Sequence, residues 1–366
     1  MAGIFSWRRF AAMVAKEFVQ MRRDRVTFAM MVGIPLMQLI LFGFAINSDP
    51  RHLPAAIRDA DRSPFSRAVA AAMRNSRYFD VVRECESEAE ADDLLRLGTV
   101  QFVLTAPAGF GRDLVAGRKP VLLLEADATD PSATSGAVGA FSALVDKALA
   151  RELGGSLAGL AATAGPVTVR VHPRYNPEAE TRYNIVPGLM GVVLTMTLVI
   201  ITGLAITRER ERGTMENLLA TPVGPAEVML GKVVPYVVVG YLQMGLIVAA
   251  AIYLFEVPIS GSLTLLFVLS FPFIAANLCM GVTFSTLARN QLQAVQMAFF
   301  YFLPNILLSG FMFPFRGMPD WAQKVGAVLP LTHYLRLVRG ILLKGNGLAE
   351  SVTHLWPLLA FLAVVL

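Results

Sequence analysis

The chain is short of charge. Only 16% of its 366 residues are charged and 55% are hydrophobic, whereas an average soluble domain carries roughly 25% charged residues. With a mean hydropathy of +0.56, that deficit excludes an ordinary cytosolic enzyme. Cysteine is scarce too: Cys85 lies in a polar region and Cys279 in an apolar run, which argues against an intrachain disulfide or a cysteine metal site. His52, His172, His333 and His354 are scattered with no H-E-x-x-H or other ligand spacing, so no metal site is expected. There is no G-x-x-x-x-G-K-[ST] phosphate loop, because Gly231-Lys232 is followed by Val233 and the preceding glycine is wrongly spaced. The apolar runs contain no clear Asp, Glu, Lys or Arg. A proton relay or ion-coupled carrier places such groups at membrane depth, so neither is expected.

What the chain does have is apolar length. A hydrocarbon core about 30 Å thick needs about 20 apolar helical residues to cross it. Runs over 27–46, 185–206, 233–255, 263–287, 294–313 and from 353 onward predict an α-helical polytopic membrane protein with about six transmembrane helices. The last run reaches only Leu366, and the expectation there is a final helix that stops within its crossing. The formal charge of +5 does not indicate nucleic acid: residues 51–183 hold 16 basic and 17 acidic residues, and the basic excess lies beside the apolar runs. Six basic residues from Arg8 to Arg25 precede the first run and put the N-terminus in the cytoplasm. The run over 27–46 reads as a retained signal anchor, since a cleaved signal peptide has a shorter apolar core.

Residues 1–26 carry an amphipathic pattern, with Trp7, Phe10, Val14, Phe18 and Met21 on one face and Arg9, Lys16 and Arg23 roughly opposite. A cytoplasmic helix lying on the membrane surface is expected. Residues 47–184 are long enough for a core of their own and alternate predicted strands (54–61, 79–83, 100–105, 121–125, 167–172) with predicted helices (64–75, 87–97, 109–116, 131–162). That alternation predicts an α/β extracytoplasmic domain inserted between the first and second spans. Residues 185–366 form the rest of the transmembrane domain, with a cytoplasmic connection at 207–232. The segment 314–352 falls outside, yet it carries Arg316, Lys324, Arg336, Arg339 and Lys344, against the positive-inside expectation. Its amphipathic stretches, separated by Pro330, read as re-entrant or interfacial helices packed on the bundle.

The most informative stretch is RERERGTMENLLATPVGPAEVMLGK, residues 208–232. Alternating charges carry a helix from the membrane into water, Gly213 allows it to end, and Thr214 can cap a second helix. Met215, Leu218 and Leu219 offer that short helix an apolar stripe for a partner, and Pro222 and Pro225 limit it. Here the chain resembles the permease subunits of ABC-2-type transporters, bacterial exporters that include drug-efflux permeases with a large periplasmic domain. The external stretch GTVQFVLTAPAGFGRDLVAGRKPVLLLEADATDPSA, residues 98–133, is similar to the corresponding family region, with Ala128 where such permeases usually have glycine.

The resemblance implies an ABC-2, or type V, exporter fold in the bacterial inner membrane, with transport directed outward; the apolar bundle suggests a hydrophobic or amphipathic, drug-like small molecule as the substrate. It implies a separate cytosolic ABC ATPase that holds ATP and Mg, so that this chain binds no cofactor and is no enzyme. A second permease copy or paralogue would complete a homo- or heterodimer, and a periplasmic adaptor is a further candidate partner beside the lipid bilayer. Coupling contacts are expected at Glu209, Glu211, Gly213, Thr214, Met215, Glu216, Leu218, Pro222 and Lys232. Gln38, Gln243, Asn277 and Asn305 are the polar candidates for a transport path, although hydrogen bonding between helices is the commoner role of such side chains. A membrane sensor or assembly scaffold would also have an outside domain and a cytosolic contact, but it would not need five more spans. An embedded hydrolase would need a nucleophile with an inward-facing His or Asp, which the sequence lacks.

Overall fold

The computed structural model describes residues 51–154, 165–178, 180–213 and 225–366, the side chains of 132, 133 and 225–232 excepted. The expected surface helix over 1–26, the first span over 27–46 and the 155–162 part of the long external helix lie outside the described residues.

Strands and helices alternate in the first unit. β1 (Leu53–Asp59) leads into α1 (Pro64–Arg74), where the Ser63 hydroxyl accepts from the Ser66 amide and Pro64 occupies a position that needs no amide partner. β2 (Phe79–Glu84) precedes α2 (Glu88–Arg96), whose Ser87 cap accepts from the Glu90 amide. β3 (Phe102–Ala106), α3 (Phe110–Val115), β4 (Val121–Asp127), α4 (Pro131–Glu152) and β5 (Thr168–Arg174) follow. The strand order is β2-β1-β3-β4-β5, parallel throughout except between β3 and β4. The long helix, expected to reach 162, ends at Glu152; Gly154 and Gly155 follow it, and glycine is a poor helix former.

Alternate strand residues point to opposite faces. Leu53, Ile57, Phe102, Leu104, Leu122 and Leu124 pack against Met73 of α1 and Phe141 of α4, with Phe79 meeting Phe102 and Phe141 edge-on at 5.1 and 5.8 Å. On the other face Ala56 and Val103 lie under Leu94 and Leu95 of α2.

The second unit is helical: α5 (Thr181–Glu211), α6 (Pro225–Tyr253), α7 (Leu263–Leu287), α8 (Gln291–Leu308), α9 (Asp320–Gly326), α10 (Pro330–Lys344) and α11 (Leu348–Val365). Among the described residues four helices are long and apolar enough to cross a membrane: α5, the Val233–Tyr253 part of α6, α7 and α11. The apolar stretches of α5 and α7 are each 56% buried and those of α6 and α11 only 17% and 11%, so α5 and α7 form the inside of the bundle and the other two its rim. A β-carbon at Gly281 of α7 would lie 2.8 Å from both Thr202 Cβ and the Val199 carbonyl oxygen of α5, so the glycine sets how closely the two helices approach.

Two segments depart from a simple row of spans. α8, expected over 294–313, ends at Leu308 before Gly310 turns the backbone to φ +84°, and it is not among the four apolar helices. Gln291, Gln293, Gln296 and Asn305 lower its hydropathy. α10 has 15 residues, roughly 22 Å at 1.5 Å per residue, short of a ~30 Å core. It is nonetheless buried along most of its length. Tyr334 stacks on Phe273 of α7 with ring centres 3.9 Å apart, and its hydroxyl shares a 2.9 Å hydrogen bond with Ser270.

The end of α10 also fastens the α/β unit to the bundle. Lys344 pairs with Asp127, each side chain only 8% exposed, and donates to the Leu95 carbonyl at 3.1 Å. Asn346 Nδ2 donates to the Arg96 carbonyl at 3.4 Å. Both carbonyls belong to the last turn of α2, where they have no partner within the helix and the dipole favours a cation. The Lys344 ammonium lies 5.2 Å from the Tyr175 ring centre; burial, together with the Asp127 carboxylate, pushes the Tyr175 hydroxyl up to about 12.

Removing one partner of a buried ion pair strands the other and costs about 3–5 kcal/mol, whereas replacing both with apolar groups costs far less. Lys344→Met is therefore expected to destabilise the detergent-purified protein by about 3 kcal/mol in thermal denaturation. Adding Asp127→Leu is expected to recover more than half of that loss. Equal losses in the single and double variants would show that the pair is not what holds the two units together.

Candidate coupling site

The last turn of α5 carries Arg208, Glu209, Arg210 and Glu211 beyond the final apolar residues. The helix ends by the glycine route: the Arg212 and Gly213 amides donate back to the Arg208 and Arg210 carbonyls at 3.1 and 3.2 Å, and Gly213 adopts φ +70°. Only glycine takes that conformation without strain.

Two adjacent side chains on this turn reach the corner between α7 and α8. Arg210 Nη1 donates toward the carbonyls of Ala288, Thr286 and Ser285 at 3.2, 3.4 and 3.5 Å. These lie at the C-terminal end of α7, where carbonyls lack helical partners and the dipole is negative. The Glu211 carboxylate accepts from the Gln291 amide at 2.7 Å and also from the Gln291 side-chain amide. Gln291 opens α8, where amides are unpaired and the dipole is positive. A cation and an anion next to each other on one helix end thus grip the two opposite poles of one interhelical turn. The turn is itself fixed, because Asn290 Oδ1 accepts from the Gln293 amide at 2.8 Å and Gln293 Oε1 accepts from the Arg289 amide at 2.9 Å.

Of the expected coupling residues, Glu209, Glu211 and Gly213 are described and lie together on this corner. Thr214, Met215, Glu216, Leu218 and Pro222 lie outside the described residues; Lys232 is in the backbone of α6, its side chain outside them. Arg210 and Gln291 were not singled out by sequence. The signal for Gln291 was available in Asn290, a helix-capping residue that marks the start of α8, but nothing distinguished Arg210 from Arg208 or Arg212.

The polar path candidates do not converge on one point. Gln38 lies outside the described residues. Gln243 of α6 accepts from Thr197 of α5 at 2.8 Å, a bond between helices. Asn277 and Asn305 donate to their own helices, to the Phe273 and Tyr301 carbonyls, each at 2.9 Å. Among the described residues no group of three His, Cys, Asp or Glu is placed to hold a metal ion.

Comparison with known proteins gives this corner a context. The model of the ABC-2 family transporter protein family matches residues 25–366. The chain is 31% identical to "Probable multidrug ABC transporter permease YbhS" of Escherichia coli strain K12, over 94% of this chain and 90% of that protein. It is 28% identical to "Probable multidrug ABC transporter permease YbhR" of the same strain, over 98% and 96%. It is 30% identical to the "Inner membrane transport permease YhhJ", also of that strain, over 88% and 86%.

Loss of the Glu211 carboxylate removes the acceptor of the Gln291 amide. In Glu211→Ala, hydrogen exchange at the start of α8 is expected to quicken several-fold, while Arg212→Ala leaves it unchanged. Unaltered exchange in Glu211→Ala would mean that the corner is held by other contacts.

Proposed function

The chain belongs to the ABC-2 family of transporter proteins, and from that membership we propose that it is the membrane-spanning subunit of an ATP-driven exporter. In this reading it moves hydrophobic or amphipathic small molecules outward across the inner membrane, with ATP and Mg held by a separate pair of ABC ATPase subunits. Two permease chains, identical or paralogous, face each other, each with six spans, a cytoplasmic N-terminus and the α/β unit outside between the first two spans. The relatives named for multidrug transport support the substrate class.

The observation that carries this reading is the fastening of α5 to the α7–α8 corner by Arg210 and Glu211. A span that leaves the bundle, is gripped there and then turns at Gly213 delivers a push on 213–224 to three helices together. Such a push produces a rigid-body shift, one of the ordinary forms of switching between states. Glu209, Glu211 and Gly213, with Thr214, Met215, Glu216, Leu218, Pro222 and Lys232 beyond them, make up the ATPase contact. For the transport path the Oδ1 atoms of Asn277 and Asn305, buried without a partner among the described residues, are candidate acceptors, with Gln38 and Gln243 as the other polar candidates.

Proline fixes φ near −65° and cannot follow the +70° turn at Gly213. Gly213→Pro, and separately Glu216→Ala, are expected to lower ATP-dependent export by roughly tenfold, within the range of coupling between sites. The measurement is substrate efflux from membrane vesicles holding the chain with its ATPase, normalised to the inserted amount. Undiminished export in both variants would remove the coupling assignment.

A further inference from the structure

A cavity lies where the α/β unit meets the bundle, away from the α7–α8 corner. It has a volume of about 160 Å³ and is walled by Arg316, Arg336, Arg339 and Lys344 together with Asp127 and Asp130. Lys344 and Asp127 pair with each other. Arg96, also on the wall, is paired with Asp93 and Glu350. The other three guanidiniums then face one further carboxylate, Asp130, which also accepts from Asn184 Nδ2 at 3.4 Å. The cavity therefore holds a surplus of positive charge at the seam between two units.

The guanidiniums are not used up by the protein. Arg339 spends Nη1 on the Gly310 carbonyl at 3.4 Å, while its Nε and Nη2 are buried with no partner among the described residues. Arg336 lies 4.6 Å from the Phe315 ring centre, a contact that engages its charge through the ring and not through its N–H groups. A buried donor left unmade is costly, and more so when it is charged. Arg316, Arg336, Arg339 and Lys344 are also four of the five basic residues that set 314–352 against the positive-inside pattern. The fifth, Lys324 of α9, is exposed and outside the cavity.

The chemistry of the donors selects the anion. One guanidinium fork satisfies both oxygens of a carboxylate, whereas a phosphate has enough oxygens to take several forks at once. Drug-sized ligands occupy roughly 300–1,000 Å³, so this cavity suits a single small group. We propose that the cavity between the α/β unit and the helical bundle binds a phosphate group, held by Arg316, Arg336 and Arg339. Such a group belongs either to a phospholipid headgroup reaching the seam or to a soluble phosphate, and the site is independent of the export reading.

The test uses the full chain, delipidated in detergent, with inorganic phosphate and phosphatidylglycerol as separate probes. A saturable rise in unfolding temperature with phosphate, absent with sodium chloride at equal ionic strength, indicates a soluble phosphate ligand. Retention of one phosphatidylglycerol per chain in native mass spectrometry, without the phosphate effect, indicates a headgroup. In either case Arg316→Gln with Arg336→Gln is expected to weaken binding at least tenfold, while Lys324→Gln leaves it unchanged. If the glutamine variant does not fold, Arg336→Lys, which keeps the charge but not the planar fork, is expected to weaken binding several-fold. The proposal is overturned if chloride matches phosphate and no lipid is retained by the unaltered chain. It is equally overturned if the cavity variants bind as the unaltered chain does.

Discussion

A helix end leaves carbonyls or amides that the helix itself cannot satisfy, and the way these ends are met organises the molecule. Several of them find their partner on another element. α7 finds Arg210, α8 finds Glu211, and α2 finds Lys344 and Asn346. At the end of α9, the Gly326 and Ala327 carbonyls accept from Thr332 Oγ1 at 2.6 Å and His333 Nε2 at 2.7 Å. Where such contacts cluster, elements distant in sequence are tied together.

Packing supplies the rest of the order. α5 and α7 approach closely across Gly281, and α10 presses an aromatic face onto α7 through Tyr334 and Phe273. A short helix too small to cross a bilayer is thus as well buried as the longest spans. Its burial and its terminal lysine together place the α/β unit, because the same helix that stacks on α7 ends at the last turn of α2.

Much of this was legible in the residues. The α/β unit followed from the alternation of predicted strands and helices over a stretch long enough for its own core, a local signal. The spans over 185–206, 233–255 and 263–287 were set by apolar length alone and fall within α5, α6 and α7 but for the last two residues of the second. The extent of α8 was misjudged because apolar residues continue past Leu308 while Gly310 and Pro314 end the helix. That Glu209, Glu211 and Gly213 sit together at the end of α5 was legible because they lie in one contiguous motif. The partners were not. Gln291 is 80 residues from Glu211, and no periodicity links the two.

Lys344 and Asp127 are 217 residues apart, which matters while the chain is being made. At about 5–20 residues per second, Asp127 leaves the ribosome roughly ten to forty seconds before the lysine that will cover it. Throughout that interval the Asp127 carboxylate has only the amide and hydroxyl of Thr129 to meet it, and the last turn of α2 lacks the Lys344 ammonium. The α/β unit is synthesised before its seat, which α10 delivers. The joint between the two units therefore cannot form until α10 has been made, long after the strands and helices it fastens.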